Sequence, residues 1–175
     1  LWTVERFVEE LHILRNHLGL DRCHILGHSW GTMLGMDYYL AHPDGILSLV
    51  QSSPCISIQR WIEDCNNYRN QLPVEVQAVM AEHEKAGTTG SEEYKDAEKE
   101  FNKRHVLRMD PVPEAVLQGR RERGTVVYET MWGPNEFYMT GNLANYDRSG
   151  DLHQISIPTL YSCGRFDEAA PDTVN

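Results

Sequence analysis

Cysteine is scarce and scattered in this chain. Its four copies, Cys23, Cys55, Cys65 and Cys163, form no CxxC pair. That spacing suggests neither a zinc site nor a disulfide framework, and it fits a reducing, cytoplasmic setting. No apolar run approaches the roughly 18 residues needed to cross a bilayer. The opening LWTVERFVEE lacks the basic-then-apolar order of a signal peptide. Positive charge is also short: 16 Lys and Arg against 26 Asp and Glu leave a net charge of −10. Neither a nucleic-acid backbone nor an anionic membrane surface suits that balance, so small neutral or cationic ligands stay open. Internal repeats and low-complexity tracts are missing. Nothing calls for a metal or a cofactor, and none is expected. The chain has no initiating methionine and opens in mid-pattern, so residues before Leu1 are expected.

What is present is enough for a core: 41% of the 175 residues are hydrophobic, within the size of one domain. Val4, Phe7, Val8, Leu11, Leu14 and Leu18 recur at helical spacing, with Gly19 where the helix would end. The short β-prone run RCHILGHS follows. TMLGMDYYLAHP then reads as a helix stopped before Pro43, and ILSLVQSSP (46–54) as another strand. From about Ser57 to Gly124 the chain turns charged and helix-prone. Thr89 to Glu92 resembles a capping box, and Pro73, Pro111 and Pro113 suit helix starts or breaks. The run EKAGTTGSEEYKDAEKE reads as a solvated helical face and loop. ISIPTLYSCG (155–164) restores the strand pattern. The order predicts an α/β fold, a parallel sheet carrying an inserted helical lid.

Within this order GHSWG (27–31) lies where a strand meets a helix. A serine flanked by glycines at that junction is the pattern of a nucleophile elbow. A strained turn lifts the hydroxyl out, and Gly27 and Gly31 are expected to relieve collisions with neighbouring backbone. The backbone N–H of Trp30, at the head of the following helix, is placed to face a developing oxyanion. Such patterns also arise as ordinary glycine turns; the strand before and the helix after favour the nucleophile. A serine needs a base, and the base an orienting carboxylate. Asp167, in the loop after TLYSCG, is placed to be that acid, although turns use aspartate too. All eight histidines precede it: His12, His17, His24, His28, His42, His83, His105 and His153. His28 is expected to pack or hydrogen-bond behind the turn rather than act as the base.

GHSWGTMLG, MWGPNEFYMTGNLANYD and IPTLYSCGRFDEAAP together resemble the proline iminopeptidases, or prolyl aminopeptidases, a family of serine α/β-hydrolases with a helical cap. The resemblance spans nearly the whole chain and is weakest through 57–124. It implies an α/β-hydrolase sheet, partial in this chain, divided into a core at 1–56, a cap at 57–145 and a return to the core at 146–175. It implies Ser29 as nucleophile, Asp167 as acid and Trp30 as an oxyanion donor through its backbone. Glu136 and Glu168 would bind the substrate's free amino terminus. The family's HGGPG-type loop, with the second oxyanion donor, and its catalytic histidine are expected outside these 175 residues. The fragment alone is therefore expected to be inactive.

Elementary chemistry supports the two glutamates, because an α-amino group with a pKa of about 8 is mostly protonated at neutral pH and needs anionic acceptors when buried. Each could equally be an ordinary surface or helix-start acid. Trp132, Phe137, Tyr138 and Tyr146 could wall an apolar pocket for a proline ring, or simply fill core. The expected activity is release of an N-terminal residue, preferably proline, from a small peptide through an acyl-enzyme. The alternatives are an amidase or esterase of small amino-acid amides and a non-catalytic hydrolase-like binding module. No nucleic-acid or membrane partner is expected, and the oligomeric state is open.

Overall fold

The structure, a computed structural model, describes residues 1–174. Helix α1 (Val4–His17) begins at Thr3, whose side chain accepts the Arg6 amide. Strand β1 (Cys23–His28), helix α2 (Trp30–Ala41) and strand β2 (Ile46–Ser52) follow in the expected order. Five helices come next: α3 (Ile58–Arg69), α4 (Val74–Ala86), α5 (Glu92–His105), α6 (Glu114–Glu122) and α7 (Thr125–Met131). A 3-10 helix (Ser149–Gln154), strand β3 (Thr159–Ser162) and helix α8 (Pro171–Val174) complete the described chain.

The strands form a parallel sheet in the order β1-β2-β3, in register at Leu26, Val50 and Leu160 and again at His28, Ser52 and Ser162. Parallel neighbours need long crossovers. Helix α2 makes the first, and the whole helical region makes the second. Because all three strands run the same way, Ser29, Ser53 and the loop after β3 gather at one end of the sheet. Such carboxyl ends are where open α/β sheets place their chemistry.

Helix α2 is apolar around most of its circumference and packs on both β1 and β2, burying Met33, Met36, Tyr38 and Tyr39. Helix α1 packs on α2. On the opposite face of the sheet Leu26 and Leu160 stay exposed, alongside His24 and His28. Strand alternation puts His28 on that open face. It makes no hydrogen bond among the described residues, contrary to the packed role expected for it.

Two local expectations are corrected. Helix α5 is capped by Ser91, which accepts the Tyr94 amide, rather than by Thr89, because Ser91 immediately precedes the first helical residue. The strand expected across 155–164 is confined to Thr159–Ser162, with Pro158 denying a ladder donor just before it. The charged run does present the expected solvated helical face. Its exposed Lys95–Glu92 and Lys99–Asp96 pairs contribute little, whereas Tyr94, Ala97 and Phe101 are buried. Burying Phe101 alone is worth roughly 1.5–3 kcal/mol.

A buried polar chain organises the segment around Gly133–Phe137. Arg69 forks onto both Glu84 oxygens at 2.8 and 2.9 Å, and the Tyr94 hydroxyl donates to the same carboxylate at 2.9 Å. Asn135, almost fully buried, donates to the Tyr94 oxygen at 2.9 Å and accepts the amides of Phe137 and Tyr138 at 3.1 and 2.9 Å. Each polar partner answers another, which is what allows charged and amide groups to sit this deep.

Candidate active site

Ser29 stands between β1 and α2 with φ 52° and ψ −124°. A non-glycine residue in that region costs roughly 1–3 kcal/mol and persists only where its surroundings enforce it. Here they do. The Ser29 amide donates to the Ser52 carbonyl at 3.0 Å. The Ser29 carbonyl accepts both the Thr32 amide at 2.8 Å and the Thr32 hydroxyl at 2.6 Å. Thr32 in turn accepts the Cys55 amide. The Ser29 side chain does not cap α2, so its hydroxyl is not committed to the helix. Trp30 opens that helix, where first-turn N–H groups have no intrahelical acceptor.

The two elbow glycines differ. A Cβ on Gly27 would fall against the Gly31 carbonyl and within 2.8 Å of the Thr32 amide nitrogen, so glycine is required there. A Cβ on Gly31 would meet nothing within 4 Å. The expectation that both relieve a collision is corrected: Gly31 contributes the backbone that Gly27 must approach, and its own missing side chain relieves nothing among the described residues.

Asp167 lies in the loop after β3. Its Oδ1 accepts the Ala169 amide at 2.9 Å, and its Oδ2 accepts the Gly164 amide at 3.1 Å and the Ser53 hydroxyl at 2.6 Å. Among the described residues no histidine hydrogen-bonds to Ser29 or Asp167. His105 reaches the loop that carries Asp167: its ring nitrogen pairs with the Phe166 carbonyl at 3.0 Å and its own carbonyl accepts the Glu168 amide. Burial holds the His105 imidazole below its ordinary range.

Glu168 is 8% exposed, and its Oε2 has no hydrogen-bond partner among the described residues. Burial pushes its carboxyl well above the usual range, and the negative charges of Glu136 and Asp167 push the same way. Glu136 is half-buried, and burial raises it too. The Tyr128 hydroxyl lies beside its carboxylate and partly opposes that rise, without reaching hydrogen-bond geometry. The Glu136 carbonyl is pinned by the indole N–H groups of Trp61 at 2.8 Å and Trp132 at 3.4 Å. Burial thus penalises the ionised form of both carboxyls, and the charge of Glu136 adds to the penalty at Glu168.

Ser29, Trp30 and Glu136 open onto one cavity of about 440 Å³, walled by Tyr128, Met131 and Trp132 together with Trp2 and Phe7. Asp167 and Glu168 are not on its wall. A larger hollow of about 790 Å³ under β3 touches none of the four acid and nucleophile positions. Of the four aromatics that could wall the pocket or fill core, Trp132 lines this cavity and the other three do not. Phe137 is packed on Phe101 and beneath Arg69. Tyr138 donates to the Glu84 carbonyl, and Tyr146 donates to Asp37 at 2.6 Å. Sequence reasoning missed Tyr128 and Met131, although Tyr128, Met131 and Trp132 share one helical face at i, i+3 and i+4.

A family model described as the alpha/beta hydrolase fold matches residues 1–175. The chain belongs to the α/β-hydrolase fold family. Among its relatives, this α/β-hydrolase is 46% identical over 174 residues to a proline iminopeptidase of Heyndrickxia coagulans, covering 99% of this chain and 60% of the relative. It is 40% identical to a proline iminopeptidase of Lactobacillus helveticus, covering 98% and 58%. Among solved structures, that of VinJ superposes with a TM-score of 0.92 at 39% identity, over 99% of this chain and 60% of that one. The proline iminopeptidase of Mycobacterium smegmatis gives 0.83 at 39% identity, over 98% and 58%. The chain thus spans about three fifths of the length of the relatives it matches.

Proposed function

We propose that the protein is a serine aminopeptidase that releases an N-terminal residue, preferably proline, from peptides through an acyl-enzyme. The observation that carries this reading is the single cavity holding both Ser29 and Glu136, backed by the buried, unpartnered carboxyl of Glu168. The substrate's ammonium is held by Glu136 and Glu168. That anchoring brings the first residue's carbonyl against Ser29, beneath the helical region 57–145 acting as a cap on the cores at 1–56 and 146–175. A site of this kind selects substrates with a free N-terminus and gives little to those without one.

In the reaction the Ser29 Oγ attacks the carbonyl carbon while its proton passes to a base histidine supplied from outside residues 1–175. The Trp30 amide stabilises the oxyanion. The tetrahedral adduct collapses to a Ser29 ester, and the leaving amine departs with the proton from the histidine. Water, deprotonated by the same base, then cleaves the ester and restores Ser29. Asp167 orients the base and compensates its transient charge. The site of action is the cytoplasm, in keeping with the dispersed, unpaired cysteines.

The test is Glu168→Gln in the full-length protein, assayed on a prolyl arylamide and on a small neutral ester. Loss of the first activity with retention of the second is expected. Equal loss on both substrates makes the glutamate structural, and no loss on either removes it from the site.

A further inference from the structure

Two non-glycine residues among those described have positive φ: Ser29, and Ser53 at φ 49°. Ser53 follows β2 directly and precedes Pro54, a position where steric contact with the proline ring already narrows the backbone. Serine there is doubly costly, and the turn itself would be easier for glycine. What the serine side chain adds is one contact: its hydroxyl donates to Asp167 Oδ2 at 2.6 Å, the short range of a hydrogen bond to a carboxylate. The Ser53 amide donates to the Ser162 carbonyl at 2.7 Å, which closes the turn onto the end of β3. One residue earlier, the Ser52 carbonyl accepts the Ser29 amide at 3.0 Å.

We infer that Ser53 is a positioning residue for the reaction, a strut from the end of β2 that sets the Asp167 carboxylate relative to the nucleophile elbow. The inference rests on the reading of Asp167 as the triad acid. Two adjacent residues, Ser52 and Ser53, thereby touch both working loops, one through the nucleophile's own amide and the other through the acid's carboxylate. Asp167 Oδ2 is filled by two donors, from Ser53 and Gly164. Oδ1 receives one, from Ala169, and keeps a lone pair for the N–H of a base. Without Ser53 the carboxylate loses its only side-chain donor among the described residues and can rotate away from that alignment. The strained backbone is then accounted for, since it aims the hydroxyl at the acid.

The experiment compares Ser53→Gly, Ser53→Ala and Asp167→Asn with the parent in the full-length protein, on a prolyl arylamide and on a small neutral ester. Removing a charge-assisted hydrogen bond predicts a fall in kcat of about tenfold to a hundredfold on both substrates, with KM within about twofold. Glycine is at ease at φ 49°, so the melting temperature of Ser53→Gly should be equal to or above the parent's while its activity is lower. A merely structural hydroxyl would instead lower stability with it. Parent-like kcat in folded Ser53→Gly and Ser53→Ala, with Asp167→Asn inactive, overturns the role of Ser53 alone. A loss carried by KM, confined to the amine-bearing substrate, or matched by a lower melting temperature in Ser53→Gly overturns it as well. Normal turnover by Asp167→Asn overturns the acid reading beneath it.

Discussion

The strained turn at Ser29 and the surroundings of Glu136 are built in opposite ways. Ser29 is held by neighbours within a few residues, Gly27, Gly31 and Thr32, plus one strand contact at Ser52. Glu136 is held by Trp61 from α3 and Trp132, in a segment anchored by Asn135 to Tyr94 of α5 and through it to Glu84 of α4. Local geometry is cheap to encode and leaves a short pattern in the chain. A site assembled across helices leaves only isolated letters, and its chemistry exists only when every strut is in place.

The comparison is broken most severely at the elbow. Ser29→Ala in the full-length protein should lower kcat by at least about 10⁴-fold while leaving the fold intact, because the proposed reaction loses its nucleophile and the turn is enforced by backbone contacts. Single-turnover kinetics with a melting curve checks both halves. Gly27→Ala should do the converse, costing roughly 3 kcal/mol or more of stability, since backbone must move to admit the Cβ. Gly31→Ala is expected to cost far less, and urea melts of the pair measure the difference directly.

At the glutamate site the effects are smaller and more selective. Glu136→Gln should reduce kcat/KM on prolyl arylamide roughly ten- to a hundredfold, the value of a charge-assisted hydrogen bond of about 1.5–3 kcal/mol, with the neutral ester little changed. Asn135→Ala should lower stability by about 1–3 kcal/mol by leaving the amides of Phe137 and Tyr138 and the Tyr94 oxygen short of a partner. It should also weaken amine-bearing substrates, because Glu136 is its neighbour.

The smallest effect concerns pH. Glu168 has its folded pKa raised by burial and by Glu136, so the native state binds more protons than the unfolded chain between the ordinary glutamate value and the raised one. Stability of the ligand-free protein should therefore fall as pH climbs through that window, and Glu168→Gln should flatten the fall. Denaturant melts from about pH 5 to about pH 9 provide the check. An unchanged slope in the variant would mean that the buried carboxyl is not the source.

The strained turn and the loop position of Asp167, two parts of the candidate site, are legible in the chain, and the reasons are local. GHSWG between a β-prone run and an amphipathic helix marks Ser29, and Asp167 follows the next strand pattern. The role of the aromatics around Glu136 stays open in the sequence because a Tyr or Phe at a helix or loop position has the same letter whether it walls a cavity or fills core. Only neighbours from α4 and α5 decided that Phe137 and Tyr138 turn inward. Ser53 carried no signal at all, since a serine before a proline reads as an ordinary turn.

The sequence by itself determined the order of strands and helices, the parallel character of the sheet and the strained turn at Ser29. Each follows from periodicity, crossover length and sterics within a few residues. Tertiary structure alone decided that Glu136 opens onto the Ser29 cavity, that Glu168 is buried without a partner, and that the Ser53 hydroxyl reaches Asp167. Those outcomes depend on which groups distant in the chain exclude water together. Desolvation and hydrogen-bond geometry are properties of a place in the fold, and no single segment contains them.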